Sequence, residues 1–408
     1  MTETSRTAPR ITSVTTYGVS YPLAAPMADA VHYIPDRAAL LVEVACDDGT
    51  VGTGESAIYG GSASTTEALI HDVLAPRVLG ADPTRPELLW QRMLWPSHQL
   101  GTGGALPMAI SGLDIAVWDL LGRRAGLPLY RLLGGHSDRI RAYASGGFYF
   151  DGKDAAALAE EFKAAAARGF RHGKMKVGRT PETPMNPLAH MVEPGFATVS
   201  LAEDLERVRA VRQAVGDDDF RLMVDANNAW DVTTALAAGR EYERLGVHWF
   251  EEPVGTDDRA GSARLAAALD VAVAGYETES QLSGFRDLIA AGAVDVVQPD
   301  VIWAGGITGC RRIAALAYAA GLACVPHVYS TAVSIAANLH FMASLPNCYL
   351  LEFDQNPNAL RTELLTEPIE PDADAVVAVP DRPGLGIRLD RTTLGRYSTA
   401  PPRTSELP

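Results

Sequence analysis

A closed α/β barrel behind an α+β domain is the fold this 408-residue sequence predicts, on three observations. From about residue 139 the chain settles into short apolar runs, each followed by an amphipathic helical stretch. Eight such runs occur, the number of strands that a (β/α) barrel needs. Three acids, Asp225, Glu251 and Glu277, recur at intervals of 26 residues, about one βα repeat, so each falls at the C-terminal end of the next strand. A doubly wound open sheet is the competing architecture.

The first domain is expected over residues 1–137. Here ITSVTTYGVSY and ALLVEVACDDGTVGTGES read as strands, and TTEALIHDVLAPRVLG and PMAISGLDIAVWDLLGRRAG as helices. The barrel is expected over 138–365. Its strands are IRAYASG, RHGKMKVG, RLMVDAN, VHWFEEP, VAVAGYE, VDVVQPD, LACVPHV and CYLLEFD. The stretch 366–408, rich in Pro and Gly, is expected to pack back on the first domain. Two Gly-rich pieces, GTVGTGES and QLGTGGAL, lack the strand, GxxxxGK[ST] and helix context of a nucleotide site and read as turns or loops near the barrel mouth.

Bulk properties narrow the function. A formal charge of −15 disfavours nucleic acid and acidic lipid, since both require a basic surface. No run of about 18 apolar residues suggests a membrane span, and the N-terminus lacks the basic-then-apolar pattern of a secretion signal. Cys46, Cys310, Cys324 and Cys348 lie far apart without a CxxC pair, which reads as reduced thiols. Together these predict a cytoplasmic protein.

The chemistry is concentrated at the strand ends. Adjacent strands lie about 4.8 Å apart, so Asp225, Glu251 and Glu277 form one row of carboxylates. Three anions side by side repel unless a cation joins them, and all-oxygen ligation suits Mg²⁺ at about 2.1 Å. Glu252 has the opposite strand phase to Glu251 and is expected in a supporting or wall position.

Only four residues of the chain are lysine, and two of these, Lys174 and Lys176, stand in HGKMKVG and point to one strand face. Two neighbouring ammonium groups lower each other's pKa, and lysine, unlike arginine, then serves as a base. The bland alternative is a pair of snorkelling lysines on the outer face. On the other side of the barrel, Asp300 and His327 are 27 residues apart, again about one repeat. An Asp beside a His fixes its tautomer and makes a general acid/base pair. The remaining histidines read as surface or packing residues, with His32 and His190 as possible loop contributors. Polar, Tyr- and His-bearing loops near 27–37 and 59–62, including His32 and Tyr59, suit a polyol.

These pieces resemble the enolase superfamily, and within it the mandelate racemase subgroup. The matching residues are KMK at 174–176, DAN at 225–227, EEP at 251–253, GYE at 275–277, QPD at 298–300 with GGIT at 305–308, PH at 326–327 and LE at 351–352, together with the N-terminal GLDIAVWDLLG. The resemblance implies a modified (β/α)7β TIM-type barrel with an N-terminal capping domain, and a homo-oligomer. It implies one Mg²⁺ on Asp225, Glu251 and Glu277, with Lys176 and the His327/Asp300 dyad on opposite faces of a small anionic substrate. It further implies that Lys174 and Glu352 contact the substrate carboxylate and that Asn227 contacts the substrate. Tyr276 stands where such proteins often have a small residue, which predicts a narrowed pocket. Asn227 also stands where the relatives that use a histidine after the third strand carry that histidine, so that group is not implied. The segment 179–200 is longer than the family's usual connection and reads as a substrate lid or a disordered insertion. The implied reaction begins with α-proton abstraction from a carboxylate. Dehydration of an aldonic or aldaric sugar acid is preferred, with racemisation, epimerisation or cycloisomerisation as the alternative and a non-catalytic binding protein as the remote one.

Overall fold

The computed structural model describes residues 9–59, 62–180, 198–216 and 219–407. Most of the segment 179–200, including His190, and part of the 59–62 loop fall outside these.

The first domain is an antiparallel sheet of β1 (Ile11–Ala28), β2 (Tyr33–Cys46) and β3 (Val51–Ser56), backed by the helix Ala105–Ala125. β1 and β2 are unusually long, so most of the expected 27–37 loop is in fact strand, with only residues 29–32 making the turn. The sheet and helix share a core of Val14, Leu40, Val42 and Val44 with Ile110, Leu113, Val117 and Leu120. Gly52 and Gly54 allow that helix to lie on β3: a Cβ on Gly54 would stand 2.1 Å from the Gly112 carbonyl oxygen, and one on Gly52 2.0 Å from that of Ala116. The helix has the length and hydropathy of a membrane span, but it is almost wholly buried within the protein.

Eight parallel strands form the curled sheet of the barrel: β4 (Arg139–Gly146), β5 (His172–Lys176), β6 (Arg221–Asp225), β7 (Trp249–Glu251), β8 (Ala272–Gly275), β9 (Val296–Val297), β10 (Ala323–Cys324) and β11 (Leu350–Asp354). They run in the order β10-β9-β8-β7-β6-β5-β4-β11. Every expected run becomes a strand, and helices alternate with them on the outside. The final stretch serves both sheets: β12 (Val376–Ala378) pairs with β4, and β13 (Arg403–Glu406) pairs with β1.

Side chains alternate along each strand, so residues of one parity fill the barrel axis. Tyr143, Met223, Trp249, Ala274, Val296, Val325 and Leu350 form an apolar plug there. Above it the same parity brings Lys174, Lys176, Asp225, Glu251 and Glu352 to the axis, all buried. The ladder places Lys176 opposite Asp225, and Asp225 opposite Glu251.

Candidate active site

Above the plug, at the C-terminal ends of the strands, lies a cavity of about 490 Å³, within the range typical of small-ligand sites. Lys176, Asn227, Glu252, Glu277 and His327 line it from the barrel. Asp29, His32, Arg37 and Tyr59 line it from the first domain. The two domains are tied together beside it. Tyr59 donates its hydroxyl to the Tyr329 carbonyl, and Glu55 accepts from the Thr331 hydroxyl and from Ser334 N at 2.9 Å.

The two lysines hold the acidic row. Lys176 Nζ pairs with Asp225 Oδ2, while Lys174 Nζ pairs with Glu251 Oε1 and lies 3.0 Å from Glu352 Oε1. Glu251 Oε2 accepts from Trp249 Nε1 at 3.0 Å and Gln298 Nε2 at 2.9 Å. Among the described residues no three acidic, histidine or cysteine side chains are gathered at metal-binding separation. Asp225 and Glu251 are instead neutralised by ammonium groups.

This pairing corrects the expectation that the lysines depress each other. Burial and Lys174 do pull the pKa of Lys176 down, but Asp225, with Glu277 and Asp29, outweighs them and raises it. Lys174 is likewise raised, because Glu251 and Glu352 overcome its desolvation. Burial raises Glu251 to about 7 against the pull of Lys174. Glu352 resists the same desolvation and is held at about 2 by Lys174, His327 and Lys176.

His327 Nδ1 lies 2.8 Å from Asp300 Oδ2 and Nε2 3.3 Å from Glu277 Oε2. Desolvation would lower its pKa, but Glu277 and the Asp300 hydrogen bond raise it to about 10, so the imidazolium form prevails. β10 and β11 are the two ends of the strand order, and Val328 N, next to His327, donates to Glu352 Oε2 of β11 at 3.0 Å, so the sheet curls back on itself and β10 comes three strands from β5 by way of β4 and β11. Lys176 and His327 therefore approach the cavity from nearly opposite sides.

Tyr276 does not narrow the cavity. Its ring is wholly buried among core residues, and its hydroxyl donates to Ser262 Oγ at 2.7 Å. β8 ends at Gly275, whose φ of +151° interrupts the alternation, so strand parity cannot be carried to Tyr276 and Glu277. A similar break puts Glu252, at φ +43°, on the cavity wall. There it accepts from Glu277 N at 3.1 Å and Asn228 Nδ2 at 2.6 Å. Asn227 lines the cavity, and among the described residues its amide oxygen has no hydrogen-bond partner. His32 stands exposed at the rim, 3.0 Å from Asp29, and Tyr59 packs its ring 5.0 Å from Trp303 and 6.1 Å from His327.

Several lining residues carried no sequence signal. Arg37 reaches in from β2, its guanidinium 3.7 Å over the Tyr329 ring and 2.8 Å from Asp354 Oδ2. Phe148 stacks on Tyr329 and lies 5.2 Å from Lys176 Nζ. Arg37 meets Tyr329 and Asp354 only because the two domains pack together, whereas Phe148 meets Tyr329 and Lys176 within the barrel.

A capped barrel with a buried acidic row, and with Lys176 and His327 on either side of one cavity, has the layout of an enzyme site. The family comparisons agree: residues 11–134 match the mandelate racemase/muconate lactonizing enzyme N-terminal domain, and residues 157–393 match the enolase C-terminal domain-like family. The chain belongs to the enolase superfamily, in its mandelate racemase subgroup. It is 39% identical over 344 residues to an arabinonate dehydratase of Saccharolobus solfataricus, covering 84% of this chain and 86% of the relative. It is 36% identical over 403 residues to a D-galactarolactone cycloisomerase of Agrobacterium fabrum, covering 96% of this chain and 100% of the relative. The crystal structure of a racemase from Streptomyces coelicolor A3(2) with bound magnesium is similar at a TM-score of 0.84 and 34% identity, covering 95% of this chain and 100% of that one.

Proposed function

We propose that this protein is a Mg²⁺-dependent lyase that dehydrates an aldonic or aldaric sugar acid to a 2-keto-3-deoxy acid. The observation that carries the reading is one cavity flanked by Lys176 and by an imidazolium at His327, with the buried ammonium–carboxylate pair of Lys174 and Glu352 on the strands β5 and β11 that lead to it.

Asp225, Glu251 and Glu277 would offer a hard divalent cation only carboxylate oxygens: Asp225 and Glu251 end neighbouring strands, Glu277 follows β8, and among the described residues the buried amide oxygen of Asn227 has no partner. In the free site Lys176 and Lys174 hold the first two acids, and the three are not drawn together. A Mg²⁺ held by these acids would supply positive charge for the substrate carboxylate and would neutralise Asp225 in place of Lys176.

Lys174 orients one oxygen of the substrate carboxylate. Glu352 is ionised in the free site, and a second anion brought against it raises its pKa, so that it holds the other oxygen by donating a hydrogen bond. With Asp225 engaged by the cation, Lys176 would lose the partner that raises its pKa, release its proton to solvent and, as the neutral amine, take the α-proton. As the C–H electron pair moves into the carbon skeleton, the β-hydroxyl leaves as water with the proton of His327 Nε2. Asp300 fixes the ring by holding Nδ1. The resulting enol tautomerises to the 2-keto-3-deoxy acid. Asp29, Asn228, Thr278 and Ser330 supply hydrogen-bonding groups for the remaining hydroxyls.

A second reading, cycloisomerisation of a sugar acid, is supported by the Agrobacterium fabrum relative, which aligns over nearly the whole chain. Incubating the Mg²⁺-loaded enzyme with four- to six-carbon aldonic and aldaric acids separates the two. Dehydration yields a 2-keto acid lighter by one water, whereas a product of unchanged mass establishes the isomerase.

A further inference from the structure

The opposite end of the barrel carries charge of the other sign. Arg141, His172 and Arg221 stand near the N-terminal ends of three adjacent strands, β4, β5 and β6. They share the parity of Tyr143, Lys174 and Met223, which face the axis, and the ladder pairs His172 directly with Arg221. His248, immediately before β7, brings its ring 6.3 Å from that of His172.

The electrostatics show that these groups share one space. Burial lowers His172 to about 4, with His248, Arg141 and Arg221 adding to the shift. Arg221 also acts on His248, and on Tyr349 ahead of β11, so its guanidinium is felt from β7 round to β11. Among the described residues neither arginine forms an ion pair: Arg141 donates to the Asp374 carbonyl at 3.2 Å, and Arg221 makes no side-chain hydrogen bond. His172 Nδ1 is buried and has no hydrogen-bond partner among the described residues. No carboxylate figures among the groups that shift either histidine. In a chain of net charge −15, two arginines and two imidazoles that form no ion pair among the described residues make a local concentration of positive charge, although Arg141 leans on the turn that carries Asp372 and Asp374.

We propose that this face is a binding site for a small oxyanion of the phosphate type, separate from the catalytic cavity by the full height of the barrel. Arg141 and Arg221 supply forked N–H donors suited to a tetrahedral dianion, and His172 adds a third donor once the anion favours its charged form. The apolar plug of Tyr143, Met223, Trp249 and Leu350 closes the axis between the two ends. The bound anion therefore stays out of the reaction and acts as a stabilising ligand that clips three strands together.

The test uses the full-length protein with inorganic phosphate, at ionic strength held constant with sodium chloride. The melting temperature is expected to rise saturably with phosphate, and the His172 and His248 ring resonances should shift along the same curve. Arg221→Gln and Arg141→Gln should each reduce phosphate affinity by tenfold or more, and the double variant should remove the response. Both positions are exposed, and turnover by the variants reports that they are folded. A response that never saturates, or one that survives in the double variant, overturns the proposal. Loss of phosphate binding with turnover intact supports it whatever the reaction proves to be.

Discussion

Asp204→Asn is predicted to loosen the proposed base while costing several kilocalories of stability. Asp204, on the helix Leu201–Val215, is fully buried behind β5. One carboxylate oxygen accepts from the Tyr149 hydroxyl at 2.7 Å and from Arg207 at 2.6 Å, and the other from Gly178 N at 2.7 Å. Arg207 also donates to the carbonyls of Lys176 at 3.1 Å and Gly147 at 3.0 Å. An asparagine presents an acceptor to only one of these two sides and an N–H₂ to the other, and leaves the Arg207 charge buried without its counterion. Breaking a buried pair from one side costs about 3–5 kcal/mol. With unfolding entropy of about 2.1 cal/mol/K per residue over 408 residues, about 4 kcal/mol lowers Tm by about 5 °C. A displacement of Lys176 by about 1 Å costs on the order of 100-fold in rate. Scanning calorimetry reads the first effect. Solvent deuterium exchange at the α-carbon reads the second, with kcat expected to fall far more than KM rises. A Tm within about 1 °C of wild type, or equal losses in the exchange faces assigned to Lys176 and His327, would refute the reasoning.

Asp300→Asn removes the carboxylate that holds His327 Nδ1, and general acid/base catalysis of this kind contributes about 10²–10⁴-fold, so turnover should drop into that range while substrate affinity, read by calorimetry, stays near wild type. Tyr276→Phe removes only a buried hydrogen bond to Ser262, which predicts about 0.5–1.5 kcal/mol of destabilisation in urea melts and a kcat/KM within about twofold of wild type. His32 should titrate by NMR near 9, because the Asp29 charge outweighs its desolvation. Its folded pKa is raised, so the pair's small contribution to stability is present below about 6.5 and fades as pH rises through 9. That contribution stays small because the side chain is 65% exposed. A midpoint below 7 would contradict the pairing.

Parity and period carried the sequence reading where the strands are regular. Asp225 and Glu251 end β6 and β7 without distortion, and they pair across the ladder as their 26-residue spacing requires. Lys174 and Lys176 fall on the axis for the same reason. Alternation fails where a strand ends in a positive φ, which is why Tyr276 turned out to be core; Glu252, expected in a supporting or wall position, does line the cavity, by way of its own positive φ. No local pattern announces those breaks, since they depend on how the next loop packs. The lysines were legible as residues but not as charges. Their protonation follows from Asp225, Glu251 and Glu352 lying beside them, and that proximity is set by three other strands. Arg37 and Glu55 were invisible for a further reason: their partners Tyr329 and Thr331 are about 300 residues away in sequence and belong to the other domain.

The most direct measurement of the central claim is stereospecific exchange. The Mg²⁺-loaded Lys176→Met and His327→Asn variants are incubated in deuterium oxide with the sugar acid that the wild type dehydrates and with its α-epimer, and α-deuterium is read by NMR. The account predicts that neither variant releases the 2-keto-3-deoxy acid, that His327→Asn still exchanges the epimer presented to Lys176, and that Lys176→Met exchanges only the other, through the fraction of His327 that is neutral. Multiple-turnover dehydration by either variant, at more than about a hundredth of the wild-type rate, contradicts it.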